Sequence, residues 1–459
     1  MKEALPKELL DKLEDVEGFN RKNFVHAHET LPATSIRFNI EKLNRFASEE
    51  VTHPDFILEE KVPWCEYGFY LEERPSFTLD PLLHAGAYYV QEASSMFLFE
   101  VLKQTCNDNN KKVLDLCAAP GGKSSLLASY FKNSLIVSNE IIKQRANILY
   151  ENLTKWGTPN IIITNNNAAD FQRLENYFDV IVVDAPCSGS GLFRKDENAI
   201  EEWSEENVNL CSQRQQRILT NVYSALKQDG ILIYSTCSYS KEEDENILDW
   251  LKNNFDVDTI QLKLKDEWKE IVETQSLKHK AFGYRFWPDK IKGEGFFIAA
   301  FKKNDGSFFN IKQGKNLLDK TPVKQLAVAS SYIENDDWFF FNHGQNIKVI
   351  NNKWKDDVSL LSKNLFIRKA AINLGEIIRD ELIPHHELAL STIIKSTIQK
   401  AELNKQEALQ YLRKRDIYFE SNQKGWTLST YNNYPLGWLK FLHNRVNNYY
   451  PTNWRILKD

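Results

Sequence analysis

No Cys-x-x-Cys pair occurs in the chain; its six cysteines, Cys65, Cys106, Cys117, Cys187, Cys211 and Cys237, stand singly. That spacing argues against a zinc knuckle and against the disulfide framework of a small secreted domain, so no metal is expected and the thiols read as reduced, in a cytoplasmic setting. No uninterrupted apolar run is long enough to span a bilayer, and residues 1–19 read as a charged amphipathic helix without the apolar centre of a signal peptide, which points away from a membrane. Internal repeats are lacking. So is any large excess of one charge: 58 basic and 63 acidic residues leave a formal −5. A nucleic-acid partner could not be held by global attraction and would need a local basic surface.

What is present is 459 residues with 42% hydrophobic content, enough for two or three well-packed domains. Residues 1–80 read as a small mixed α+β domain with strand-like pieces at Ser35–Ile40 and Gly68–Leu71, closed by Pro63, Pro75 and Pro81. The segment from Ala87 to Met96 reads as the lead into a helix that runs to about Lys103. From Lys112 onward apolar runs alternate with helical patterns, as a parallel sheet requires, with strands expected at Val113–Leu116, Leu135–Ser138, Asn160–Thr164, Val180–Asp184 and Gly230–Ser235. In such a doubly wound α/β sheet, ligands bind beyond the carboxyl ends of the strands.

The first of these ends carries a tight turn, Pro120-Gly121-Gly122, before a helix that Ser124 or Ser125 can cap. A Walker loop needs a glycine where Cys117 stands, which disfavours a nucleoside triphosphate, and the pattern Gly-x-Gly-x-x-Gly is absent because Ala118, Ala119 and Pro120 occupy the turn. The nucleoside of S-adenosylmethionine remains. Glu140, at the end of the second strand, is placed to accept both ribose hydroxyls, and Asn167 or Asp170, after the third, to meet an adenine edge. Asp184 ends the fourth strand in the manner of a nucleotide hydrolase and keeps that alternative open.

Two thiols weigh against it. Cys187 follows the fourth strand in Asp-Ala-Pro-Cys-Ser-Gly-Ser-Gly and Cys237 the fifth in Ser-Thr-Cys-Ser, so both face one cleft. Carbon 5 of a pyrimidine becomes nucleophilic only after a thiolate adds to carbon 6, and a second group must then help the thiolate leave. Lys123, Arg194 and Lys195 are candidate cations to favour the thiolate, and Asp184 could bond the N3 and N4 edge of the ring.

Cys117–Lys123, Asp184–Gly191 and Ser235–Ser238, in that order, resemble the Sun/NOP-type RNA (cytosine-5)-methyltransferases, and the resemblance covers nearly the whole chain. It implies a Rossmann-like catalytic domain, Cys237 as nucleophile, Cys187 as the group assisting release, and an S-adenosylmethionine pocket lined by Cys117, Ala118, Ala119, Pro120, Gly121, Gly122, Lys123, Glu140 and Asp184. Asn167-Ala168 stands where the family usually has Asp-Gly, so rearranged adenine contacts are expected there, and Asp289 stands where relatives often have His. The stretches Tyr89–Met96 and Gly295–Phe301 also match, the latter as the last strand of the sheet.

Residues 304–323 read as a polar linker, and Trp338–Lys355 as hairpins. From Lys424 to Lys458 no acidic residue occurs, while Trp426, Tyr431, Tyr434, Trp438, Tyr449, Tyr450 and Trp454 alternate with Lys440, Arg445 and Arg455. That composition offers basic charge and aromatic faces for unstacked bases, although the rings could equally form the core of a small β domain. The end of the chain, with Pro384-His385-His386 and Tyr434–Trp438, is similar to the PUA-like, RNA-binding C-terminal region of ribosomal-RNA enzymes of the same family. The domains expected are therefore an N-terminal accessory, RNA-binding unit at 1–80, a methyltransferase unit at 81–303, the linker, and an RNA-binding region at 324–459. The partner expected is RNA, ribosomal before transfer RNA, acted on by a monomer; His385 and His386 read as cap or packing residues.

Overall fold

The computed structural model describes residues 5–47, 56–106, 110–306, 318–417 and 423–458. Of the helix expected over residues 1–19, Lys7–Leu13 is helical, and a second helix, Arg21–Glu29, follows it, capped by the Asn20 side chain, which accepts from the Asn23 N–H. Leu9, Leu13 and Phe24 bury against Trp203, Tyr239 and Trp287, so these helices lie on the catalytic unit. The first sheet contains β1 (Thr34–Phe38), β2 (Leu58–Lys61), β3 (Gly68–Leu71) and β4 (Tyr88–Val90), antiparallel in the order β2-β3-β1-β4. Its last strand lies beyond residue 80 and inside the segment expected to lead into a helix; the aromatic and β-branched run Tyr88-Tyr89-Val90 pairs with Ile36–Phe38, and the helix itself is Leu98–Thr105.

The central sheet is built on β5 (Lys112–Asp115), β6 (Leu135–Asn139), β7 (Ile161–Thr164), β8 (Phe178–Asp184) and β9 (Leu226–Thr236), all mutually parallel. It is completed by the antiparallel strands β10 (Val257–Thr259), β11 (Val272–Gln275), β12 (Phe282–Phe286) and β13 (Phe296–Lys303), in the order β11-β12-β13-β9-β8-β5-β6-β7, with β10 on β13. Successive strand residues bury on opposite faces: Val113, Ile136, Ile161 and Val180 pack with Leu126, Leu149 and Leu153, whereas Leu114, Val137, Ile162 and Ile181 pack with Leu219, Val222, Ile247 and Leu251. The chain runs β5 to β7 in one direction and returns to β8 and β9 in the other. The crevice beyond β5 and β8 is thus the topological switch point.

Beyond the catalytic unit, Ile367–Ala370 pairs antiparallel with β7 and covers the sheet's edge, so the region after residue 324 contributes a strand to the central sheet. Two further sheets follow. One pairs Asp319–Lys320, Trp338–His343, Asn346–Asn351, Ile372–Ile378 and Glu381–Pro384; the other pairs Lys400–Glu402, Gly425–Tyr431, Tyr434–Phe441 and Val446–Asn448. Of the expected linker, residues 307–317 lie outside the described residues. Among the described residues no helix is long and apolar enough to cross a membrane, and no cluster of His, Cys, Asp and Glu is arranged to hold a metal ion.

Candidate active site

The loop after β5 is closed by Gly121 at φ +117°, a conformation L side chains rarely adopt, and a Cβ there would sit 3.3 Å from Leu149 Cδ1. The Ala118 N–H donates to the Asn139 carbonyl at 2.8 Å, which fixes the loop against the end of β6. Beneath it Asp115 is fully buried. Its Oδ2 accepts from Ser124 Oγ at 2.6 Å, while Oδ1 has no partner among the described residues. Burial pushes this carboxyl up to about 7, against the Ser124 hydrogen bond, with Asp184 adding to the rise. Burial, then the charges of Asp115, Asp184 and Glu140, pushes the Cys117 thiol up, so Cys117 is a neutral wall and not a nucleophile.

A cavity of about 590 Å³ opens beyond β5, β6 and β7, lined by Leu116, Cys117, Glu140, Ile141, Ile142 and Asn167 among others. Glu140 is 3% exposed; its Oε1 accepts from the Ile142 N–H at 2.9 Å and its Oε2 lies 3.5 Å from Arg145. Asn167 caps the short helix Ala168–Leu174, and the Asp170 carboxylate turns back to accept from the Asn167 N–H at 3.0 Å. Of the two candidates for an adenine edge, Asn167 reaches the cavity wall and Asp170 does not.

Asp184, at the end of β8, has both oxygens engaged: Oδ2 lies 2.8 Å from Lys123 Nζ and Oδ1 accepts from Ser235 Oγ at 2.8 Å. Burial works to lower the Lys123 pKa, but Asp184, with Asp115 and Cys237 behind it, raises it and prevails, so the ammonium persists. It also lies 5.2 Å from the centre of the Phe296 ring on β13. Of the three cations considered beside the thiols, Lys123 is the one placed there. Arg194 is withdrawn into an ion pair with Glu294 at 3.4 Å and a bond to the Gly293 carbonyl, and Lys195 faces the same Glu294.

Register pairs Asp184 with Ser235, so Cys187 and Cys237 both lie just past the ends of adjacent strands. Their sulfurs are 2.8 Å apart. The hydrogen bond to Cys237 comes first in raising the Cys187 pKa well above a thiol's usual value, followed by burial and the charges of Cys237 and Glu243, so this environment favours the protonated form of Cys187. The loops also touch through backbone: the Gly191 N–H donates to the Cys237 carbonyl at 2.7 Å. A Cβ on Gly191 would fall 2.7 Å from that oxygen and 2.5 Å from the Gly295 carbonyl, so only glycine fits.

Glu243, which sequence reasoning passed over, is buried against the residues that follow both thiols. It accepts from the Ser188 N–H, from Ser188 Oγ, from Ser238 Oγ at 2.6 Å and from Gln215 Nε2 at 3.0 Å. The available signal was that Cys187 and Cys237 are each followed by a serine. Next to it, Arg285 pairs with Asp244 at 3.1 Å and Glu245 at 2.5 Å, and donates to the Tyr239 carbonyl, which anchors the segment after Cys237.

At the far end the aromatic run divides. Tyr431, Tyr434, Trp438 and Tyr450 are buried in the two clusters that cover the last sheet, so they offer no face to a base; both faces of its central strands are covered, and Tyr450, beyond the last strand, packs on Tyr411 and His386. Tyr449 is 41% exposed and stands edge-on to the half-buried Trp426 at 4.5 Å, over which Lys440 lies at 4.8 Å, with Arg445 and Arg455 exposed nearby in sequence. His385 caps helix His386–Leu390, and His386 is buried against Tyr450 and Trp454.

Comparison with known proteins agrees along the chain. Family models match at residues 5–93 (N-terminal domain of 16S rRNA methyltransferase RsmF), 102–302 (16S rRNA methyltransferase RsmB/F) and 399–456 (methyltransferase RsmF PUA domain). The ribosomal RNA small subunit methyltransferase F of Psychromonas ingrahamii is 31% identical over 441 residues, covering 91% of this chain and 89% of that one; the protein of that name from Pectobacterium atrosepticum is 29% identical, covering 98% and 95%. Among solved structures, a methyltransferase homolog protein from Pyrococcus horikoshii is 29% identical with a TM-score of 0.51, over 65% of this chain and all of that one. NSun6 from the same organism shares the fold at 18% identity and a TM-score of 0.55, over 67% of this chain and 100% of its own. A Rossmann-like sheet with two apposed thiols at its switch point, carried between an RsmF-type N-terminal domain and a PUA domain, places this chain in the RsmB/F family of 16S rRNA methyltransferases.

Proposed function

We propose that the protein methylates carbon 5 of a cytosine in 16S ribosomal RNA, with S-adenosylmethionine as methyl donor and Cys237 as covalent nucleophile. The observation that carries this reading is the 2.8 Å contact between Cys187 and Cys237 beside the Lys123–Asp184 pair. The cavity fits the donor: Glu140 presents a buried carboxylate where ribose hydroxyls need an acceptor, Ile141 and Ile142 give apolar walls for a base, and Asn167 brings an amide to the wall. Bound there, S-adenosylmethionine supplies an electrophilic methyl group.

Lys123, whose ammonium feels the charge on Cys237, favours the thiolate. Cys237 adds to carbon 6 of the ring, and the electron pair released at carbon 5 forms an enamine that takes the methyl group. Asp184, held by Lys123 and Ser235, can accept from the cytosine N4 amine and orient the ring. Once the Cys237 sulfur is bonded to carbon it no longer accepts from Cys187 or carries charge beside it, so two of the causes that hold the Cys187 proton vanish. Cys187 can then release its own proton to solvent and, as thiolate, take the proton from carbon 5, and the electrons of that C–H bond restore the double bond as Cys237 leaves as thiolate.

Incubation with S-adenosylmethionine labelled in the methyl group and 16S rRNA, followed by digestion to nucleosides, tests the assignment. The label is expected in 5-methylcytidine. Label on an exocyclic amine or a ribose would overturn it.

A further inference from the structure

Both sulfurs must reach one nucleobase in turn, yet they sit on loops that follow different strands and are 50 residues apart in sequence. We propose that Glu243 is a positioning residue for methyl transfer: its carboxylate ties the two cysteine loops into one unit and so sets where both thiols meet the base. The inference rests on the two-thiol reading of the reaction. Its basis is the convergence of four donors on one buried carboxylate. The residue after Cys187, Ser188, donates twice, through its N–H at 2.9 Å and its hydroxyl; the residue after Cys237, Ser238, donates once; the two hydroxyls are themselves 3.4 Å apart. The fourth donor, Gln215 on helix Glu205–Tyr223, also donates to the Pro186 carbonyl immediately before Cys187, and its own oxygen accepts from Tyr234 Oη at 3.0 Å.

A carboxylate is required at this point. Four donors satisfy an acceptor-only group, whereas an amide would turn its NH₂ toward at least one of them. Its neighbours Asp244 and Glu245 share the Arg285 cation, but the partners of Glu243 are hydroxyls, an N–H and an amide. Burial raises its pKa and the serine bonds oppose that rise. The negative charge that remains faces Cys187 and helps to keep the proton there until Cys237 has bonded to the ring.

The test uses the full-length chain with labelled S-adenosylmethionine and 16S rRNA, comparing Glu243→Gln, Ser188→Ala and Ser238→Ala for kcat, KM for S-adenosylmethionine, denaturation-resistant adduct and melting temperature. Glu243→Gln should lower kcat roughly 10- to 100-fold with KM for S-adenosylmethionine unchanged, because a displacement of about 1 Å at reacting atoms costs that much. Ser188→Ala should slow release and accumulate adduct; Ser238→Ala should slow adduct formation. In Glu243→Gln the rise of the release rate with pH should move to lower pH, since a charge that raised the Cys187 pKa is gone. A lowered melting temperature with wild-type kcat, adduct partition and pH profile would overturn the proposal and leave a structural role alone. Failure of the wild type to methylate RNA would instead overturn the reaction on which it rests.

Discussion

The Cys187 thiol is held protonated by Cys237 lying against it and by partial burial; fuller burial governs Asp115, the acid under the cofactor loop. Its carboxyl, raised to about 7 by burial, holds a proton in the folded state that the unfolded chain has lost above its ordinary value near 4. The stability it contributes is therefore fully present below about pH 4 and is lost as pH rises to about 7. Asp115→Asn removes that titration. Its melting temperature should fall less than the wild type's between pH 4 and 7, measured by thermal denaturation at each pH; parallel slopes would count against the assignment. At this scale the thiols were legible, because each follows an apolar run that can only be a buried strand. Glu243 was not. It stands in Glu242-Glu243-Asp244-Glu245, which reads as a solvated acidic stretch, and its burial is created by Ser188, 55 residues away.

Among the elements, the contact of the two cysteine loops depends on backbone reaching backbone at Gly191. Gly191→Ala would drive a Cβ into the Gly295 and Cys237 carbonyls, so the loops must part. Methyl transfer should drop about 100-fold, more than S-adenosylmethionine binding, because only Pro186 of the cysteine loops lines that cavity; unchanged turnover would show that the loops tolerate separation. The five parallel strands were legible to within a few residues because parallel strands are buried on both faces and read as continuous apolar runs. Strand β4 and Ile367–Ala370 were not: each is three or four residues long and becomes a strand only by pairing with a partner distant in sequence, which no local pattern announces.

Over the whole molecule, the PUA-type end divides its aromatic residues between holding itself together and meeting a partner. Trp438→Ala should cost about 3 to 5 kcal/mol of stability by chemical denaturation, as expected for truncating a fully buried ring. Tyr449→Ala should leave stability unchanged and weaken RNA binding, since that ring is open to solvent beside Trp426 and Lys440; unaltered RNA affinity would remove this face from the interface. Composition alone could not divide these rings, because which of them are covered is set by partners distant in sequence, Tyr332 against Trp438 and Tyr411 against Tyr450. A base must also leave its stack to reach Cys237, at a cost of a few kcal/mol that is least in unassembled RNA, so free 16S rRNA should be methylated faster than intact ribosomes. Beneath all of this lies one bond between sulfur and a nucleobase, and trapping it is the direct test. After incubation with S-adenosylmethionine and 16S rRNA, Cys187→Ala should yield a protein–RNA adduct that survives denaturation, and the Cys187→Ala, Cys237→Ala double variant should yield none; an adduct in the double variant would contradict the account.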